Sequence, residues 1–166
     1  GEFLSTLDRD SFTLSSKVGR LLNRTDTPSE DPIYRNLPEV KVRFDYSRDG
    51  VLRSIEESLT RLNLDRVDVA LIHDPDDHYE EAMDTAFPTL ADLRSQGVIG
   101  AIGSGMNQWE MLADFARNAD FDCFLLAGRY TLLDYSALSE FLPICEENSI
   151  SVILGGPYNS GILASD

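Results

Sequence analysis

The chain has 166 residues, one modest domain by length, and its 42% hydrophobic residues run from end to end, enough for a core. A formal net charge of −15 repels phosphate backbones, which argues against nucleic acid and anionic membrane as partners. No run is long and apolar enough for a membrane helix, and the two cysteines, Cys123 and Cys145, form no CxxC pair, which argues against a disulfide scaffold or zinc–thiolate site and fits a reducing, cytoplasmic setting.

In chain order, residues 1–7 (GEFLSTL) read as the tail of a helix. "SFTLSSKVG" is a short β-rich run carrying Lys17, one of two lysines beside 12 arginines. From Val18 to Tyr46, three prolines and several turn formers predict a long loop, and long loops in compact domains are commonly functional. Ser47 is placed to cap a helix with the apolar stripe Val51, Leu52, Ile55, Leu59 and Leu62; Arg53 and Glu57 pair at i,i+4 on its other face. "VDVALIHD" is a second, almost continuously apolar strand. A helix with Met83, Phe87, Leu90 and Leu93 follows, which Pro88 begins or kinks. After the strand "GVIGAIGSG", Asn107 and Glu110 stand at capping-box spacing before Leu112 and Phe115. "FDCFLLAGRY" is the fourth strand, Leu138, Phe141, Leu142 and Cys145 mark a helix containing Pro143, and "ISVILGGPYNSG" is the fifth strand.

Continuous apolar runs indicate strands covered on both faces, as in parallel sheets. Strand centres at Leu71, Ala101, Leu125 and Ile153 are 30, 24 and 28 residues apart, the rhythm of βα units. The GxGxxG of a dinucleotide-binding doubly wound sheet is absent, since "GAIGSG" has its glycines in another order. A (β/α)8 barrel is favoured. Such a barrel typically needs ~250 residues, so the expectation is an α/β chain forming one partial barrel domain over residues 1–166, with the loop at 18–46 over its active face.

In a barrel the strand ends converge on one rim. Here they bring Lys17, His73, the Ser104–Asn107 turn, Arg129 with Tyr130, and Tyr158 to Ser160. Each has a plainer reading. Lys17 is by itself more readily a strand-end cation than a catalyst, and His73 is as readily a hydrogen-bonded core histidine. Asn107 reads first as a cap, and "GGPYNSG" as a turn. Asp74, Asp76, Asp77 and His78 lack the glycine and terminal glutamate of an EF-hand loop, so a solvated acidic loop is favoured over a metal site.

"LSSKVGR", "FDYSRDGVLRSIEESLTRLNLDRVDVALIHD", "GVIGAIGSGMNQWEML" and "GGPYNSGILA" together resemble the aldo-keto reductases, in the branch of L-fucose, D-threo-aldose and pyridoxal dehydrogenases. The resemblance implies strands three to seven of the barrel and an NAD- or NADP-dependent oxidoreductase acting on a sugar or aldehyde. Lys17 and His73 match the lysine and histidine of the family's Asp–Tyr–Lys–His tetrad. A lysine ammonium lowers a neighbouring phenol's pKa so that it can act as acid or base, and the histidine orients the substrate oxygen. The Asp and Tyr match nothing in the chain, so this piece alone is expected to be inactive. By the same resemblance Ser104, Asn107, Gly156, Pro157, Tyr158 and Ser160 contact cofactor, and Arg20, Arg129 and Tyr130 contact substrate. Where many relatives carry Ser-Asn, this turn reads Ser104-Gly105-Met106-Asn107. Two other classes stay open: a non-catalytic reductase-fold binding subunit, and a metal-assisted hydrolase using His73, Asp74 and His78.

Overall fold

The computed structural model describes residues 1–26 and 39–164. Its strands are β1 (Ser15–Val18), β2 (Arg20–Arg24), β3 (Val40–Phe44), β4 (Val69–His73), β5 (Ala101–Met106), β6 (Cys123–Ala127) and β7 (Ser151–Gly155). Five of them form one parallel sheet in the order β1-β4-β5-β6-β7; β2 and β3 form a separate antiparallel pair. Parallel neighbours need crossovers, and helices supply them: α1 (Arg48–Leu62), α2 (Tyr79–Glu81) running into α3 (Phe87–Ser95), α4 (Glu110–Asn118) and α5 (Phe141–Glu147).

Local chemistry sets the helix ends. The Ser47 hydroxyl accepts the Gly50 N–H, and Asn63 closes α1 in the left-handed conformation. The expected Arg53–Glu57 pair is present at 2.6 Å. Between α2 and α3, residues Ala82–Ala86 form a π turn that runs directly into α3, whose first turn contains Pro88. Pro143 likewise falls in the first turn of α5, where an N–H has no intrahelical acceptor.

Side chains alternate across a strand, and residues paired in parallel register share a face. One face carries Val18, Ile72, Ile102, Met106, Phe124 and Leu126, each at most 1% exposed, packed against Val51, Leu90, Leu112, Phe115 and Phe141 of the helices. Phe115, Phe121, Phe124 and Phe141 form a run of rings with successive centroids 5.2–5.9 Å apart. The sequence start of each of two strands is tied by an aspartate. Asp68 accepts from Leu14 N–H and Arg9, and Asp122 accepts from Ile102 N–H and Arg94, every contact at 2.7 Å.

Several expectations are corrected. The segment 18–46 is not simply a loop: β2 and β3 lie in it, paired from Arg20↔Phe44 to Arg24↔Val40, and the remainder of that prediction, residues 27–38, lies outside the described residues. Residues 1–7 contain a 3-10 turn at Leu4–Thr6 rather than an α-helix tail; Ser5 and Thr6 hydroxyls bond the carbonyls three residues back, competing with helix propagation. Asn107 does not cap α4, whose N-cap is Trp109. Leu138 belongs to a 3-10 turn and is 48% exposed, so only Phe141 and Cys145 of that stripe are buried.

Gly103 is where β4 and β6 crowd β5: a Cβ there would overlap the Cys123 carbonyl oxygen and a Leu71 methyl. Gly103→Ala should lower unfolding free energy by about 2 kcal/mol or more, measured by urea denaturation.

Candidate active site

The face opposite the helices carries the polar residues. Lys17 pairs with Leu71, Leu71 with Gly103, and His73 with Gly105, so the side chains of Lys17, Leu71 and His73 lie on one face. His73 stands one layer nearer the strand ends. Gly105 leaves the gap that Lys17 fills: a Cβ on it would lie 3.3 Å from Lys17 Cε and 3.6 Å from Nζ. A lysine from β1 thereby reaches over β5 to the level of His73.

The β2–β3 hairpin closes one side of this cluster. Arg20, at the start of β2, donates to Asp74 Oδ2 at 2.7 Å, and its guanidinium lies 5.1 Å from the Phe44 ring centroid. Asp74 Oδ2 is also 3.5 Å from His73 Nε2. Tyr46, 1% exposed, donates its phenol hydrogen to the His73 and Asp74 carbonyl oxygens at 2.6 and 3.1 Å. Its ring occupies the space a side chain on Gly19 would need; Gly19 has φ +97°, which favours glycine, and its N–H donates to the buried Ser54 hydroxyl of α1 at 3.3 Å.

The electrostatics follow from burial and two cations. Burial, then the Lys17 and Arg20 charges, push the His73 pKa down to about 3. The imidazole is therefore neutral at physiological pH, with one N–H to donate. Burial raises the Asp74 pKa against the opposing pull of Arg20 and Lys17. Burial also pushes the Tyr46 phenol up to about 12, which keeps it a donor.

The sequence-predicted site residues fall into three groups. Lys17, His73 and Arg20 come together as described. Tyr130, Pro157 and Tyr158 line a second cleft of about 620 Å³ with Leu132, Tyr135 and Leu154. Gly156, at φ +60°, and Ser160, at φ +57°, turn the chain beside it. Arg129 joins strand ends, its Nε donating to the Asn107 carbonyl at 3.0 Å and its guanidinium pairing with Asp134. Ser104 stands apart. It is fully buried on the helix-facing side, and its hydroxyl donates to the Ile72 carbonyl at 3.0 Å.

Sequence reasoning missed Tyr46 and misplaced Asp74. Asp74 is not part of a solvated loop, since its side chain is 17% exposed and ion-paired. The signal available for Tyr46 was only an aromatic residue before a helix cap. His78 does not join His73 around a metal. Its Nδ1 is 2.8 Å from Glu81, its ring stacks on Phe44, and among the described residues no group of three His, Cys, Asp or Glu could hold a metal ion.

The low His73 pKa has a sign in stability. The unfolded imidazole takes up a proton near pH 6.5 and the folded one only near 3, so stability attributable to His73 is complete above about pH 6.5 and declines as pH falls toward 3. Urea unfolding of wild type and His73→Asn should differ in pH slope only below about pH 6.5, the wild type losing up to about 1.4 kcal/mol per pH unit more.

The sequence and the fold have counterparts among known proteins. The aldo/keto reductase family model matches residues 1–166. The chain is 41% identical over 170 residues to a D-threo-aldose 1-dehydrogenase of Pseudomonas sp., covering 99% of this chain and 52% of that protein. It is 37% identical over 172 residues to a pyridoxal 4-dehydrogenase of Microbacterium luteolum, covering 92% and 50%. It thus spans about half the length of the curated relatives it matches. Among solved structures, an aldo-keto reductase from Bacillus halodurans in its holo form superposes with TM-score 0.75 at 22% identity, over 99% of this chain and 49% of that one. A glycerol dehydrogenase from Gluconobacter oxydans gives 0.68 at 24%, over 91% and 42%. The fold is a partial (β/α)8 barrel, and the chain belongs to the aldo/keto reductase family.

Proposed function

We propose that residues 1–166 form one part-barrel domain of an NAD- or NADP-dependent oxidoreductase that interconverts an aldose or lactol hydroxyl, or another alcohol, with its carbonyl. The observation that carries this reading is the shared face of Lys17 and His73, with the imidazole held neutral beside a lysine ammonium. A nicotinamide cofactor, when bound, would supply or accept the hydride at the substrate carbon. Lys17 holds a positive charge where it stabilises a phenolate, and His73 donates its one N–H to the substrate oxygen. Tyr46 holds the His73 backbone, and Arg20 holds Asp74 beside the imidazole.

The residues present fit one flank of a flat ring. Gly155 ends the site face of β7 without a side chain, and a Cβ there would already touch Ala127 at 3.3 Å. Asn107, Gly156, Pro157, Tyr158 and Ser160 are the proposed cofactor contacts at the strand ends. Ser104 acts from behind the sheet, fixing β4 to β5. Arg129 and Tyr130 are proposed to border the substrate. The Tyr46 hydroxyl is committed to two carbonyls and the family's tetrad tyrosine matches no position of the chain, so the phenol acid is assigned to a segment outside these 166 residues, and the chain alone is expected to turn over nothing.

In the full-length protein, Lys17→Met or His73→Ala should lower kcat/KM for aldose oxidation by about 100-fold or more, within the range for loss of a general acid–base group, read as cofactor reduction. Wild-type protein that binds NAD or NADP yet shows no turnover across aldoses and aldehydes would instead favour the non-catalytic binding subunit. Robust turnover by residues 1–166 alone would refute the assignment of the acid to another segment.

A further inference from the structure

Asp74 is the charged side chain at this site that neither the hydride chemistry nor the tetrad uses. Its φ of +39° is a left-handed backbone conformation at a non-glycine residue. Two main-chain bonds hold it there: its N–H donates to the Gly105 carbonyl at 3.0 Å, and its carbonyl accepts the Tyr46 phenol. The carboxylate is thereby kept at the end of β4 instead of following the acidic loop outward. Arg20 clamps Oδ2, and the Phe44 ring supports Arg20. Among the described residues Oδ1 has no hydrogen-bond donor. The carboxylate stands beside the imidazole, with the Arg20-bound Oδ2 3.5 Å from Nε2 and Oδ1 left as the uncommitted acceptor.

We propose that Asp74 is a specificity-determining residue that accepts a hydrogen bond from a hydroxyl on the carbon next to the reacting one, so that the site selects α-hydroxy aldehydes and aldoses over plain aldehydes. This rests on the functional reading above. His73 addresses the reacting oxygen. A substrate oxygen held by the imidazole therefore has its neighbouring hydroxyl within reach of the adjacent carboxylate. An ionised carboxylate only accepts. A plain aldehyde offers Oδ1 no donor and leaves that acceptor unpaired beside the Arg20 ion pair, the condition under which polar sites reject an analogue lacking one hydroxyl. Arg20 is a positioning residue that fixes the carboxylate's direction.

The test uses full-length protein with NADH or NADPH and two substrates differing only in that hydroxyl, lactaldehyde and propanal. Asp74→Asn keeps the size of the side chain, and asparagine tolerates left-handed backbone. The wild type should prefer lactaldehyde by kcat/KM, and Asp74→Asn should shrink that preference by about 10- to 100-fold, the loss expected for a hydrogen bond to a charged group. A wild-type preference near unity overturns the proposal whatever the variant does. A preference kept by a folded Asp74→Asn protein, judged by thermal unfolding, overturns it as well. A wild type that reduces neither aldehyde and oxidises no aldose overturns the functional reading itself.

Discussion

Between β4 and β5, Leu71 lies beside Gly103 and His73 beside Gly105. Because side chains alternate, this pairing commits Ile72, Ile102 and Ser104 to the helix side and His73 to the other. A shift of one residue would turn His73 into the aromatic core and bring Ile72 to the site. The two glycines hold the register from opposite directions. Gly103 admits the Cys123 carbonyl, and Gly105 admits the Lys17 stem. The site is therefore a consequence of packing, since the same close approach that joins the strands brings the lysine of β1 beside the histidine of β4.

The strand ends need a second constraint, because nothing in a parallel ladder fixes the residues just past its last pair. Tyr46 supplies it. Its ring covers Gly19, its hydroxyl binds both His73 and Asp74 carbonyls, and Ser54 of α1 holds the Gly19 N–H. The ends of β1 and β4, the hairpin and the first helix are thus joined at one buried aromatic residue. At the opposite ends of the strands, Asp68 and Asp122 do comparable work with charge, each joining an N–H at the start of a strand to an arginine.

Local charge and overall charge diverge. The chain carries −15, yet the site gathers Lys17 and Arg20 around a neutral histidine, with the Asp74 carboxylate paired to Arg20. Burial makes that local balance decisive. Charges on the surface are screened by water and salt, whereas Lys17 and Arg20 act on His73 through a drier medium. An acidic surface and a cation-rich site are compatible because the two fields are felt at different distances.

Much of this was legible in the chain itself. Continuous apolar runs at regular spacing determined the parallel βα rhythm, the Ser47 cap determined where α1 begins, and the segments around Lys17 and His73 carried the family resemblance. These are signals of local period and residue type, which a sequence displays directly. Other features depend on what lies across the fold. Only the tertiary structure decided that Ser104 faces the helices, that Asp74 turns back to Arg20 over a sequence separation of 54, that Asn107 leaves the capping to Trp109, and that residues on either side of 27–38 pair as strands. Each is set by a register or a partner distant in sequence, and the energy that selects it exists only once both segments are packed together.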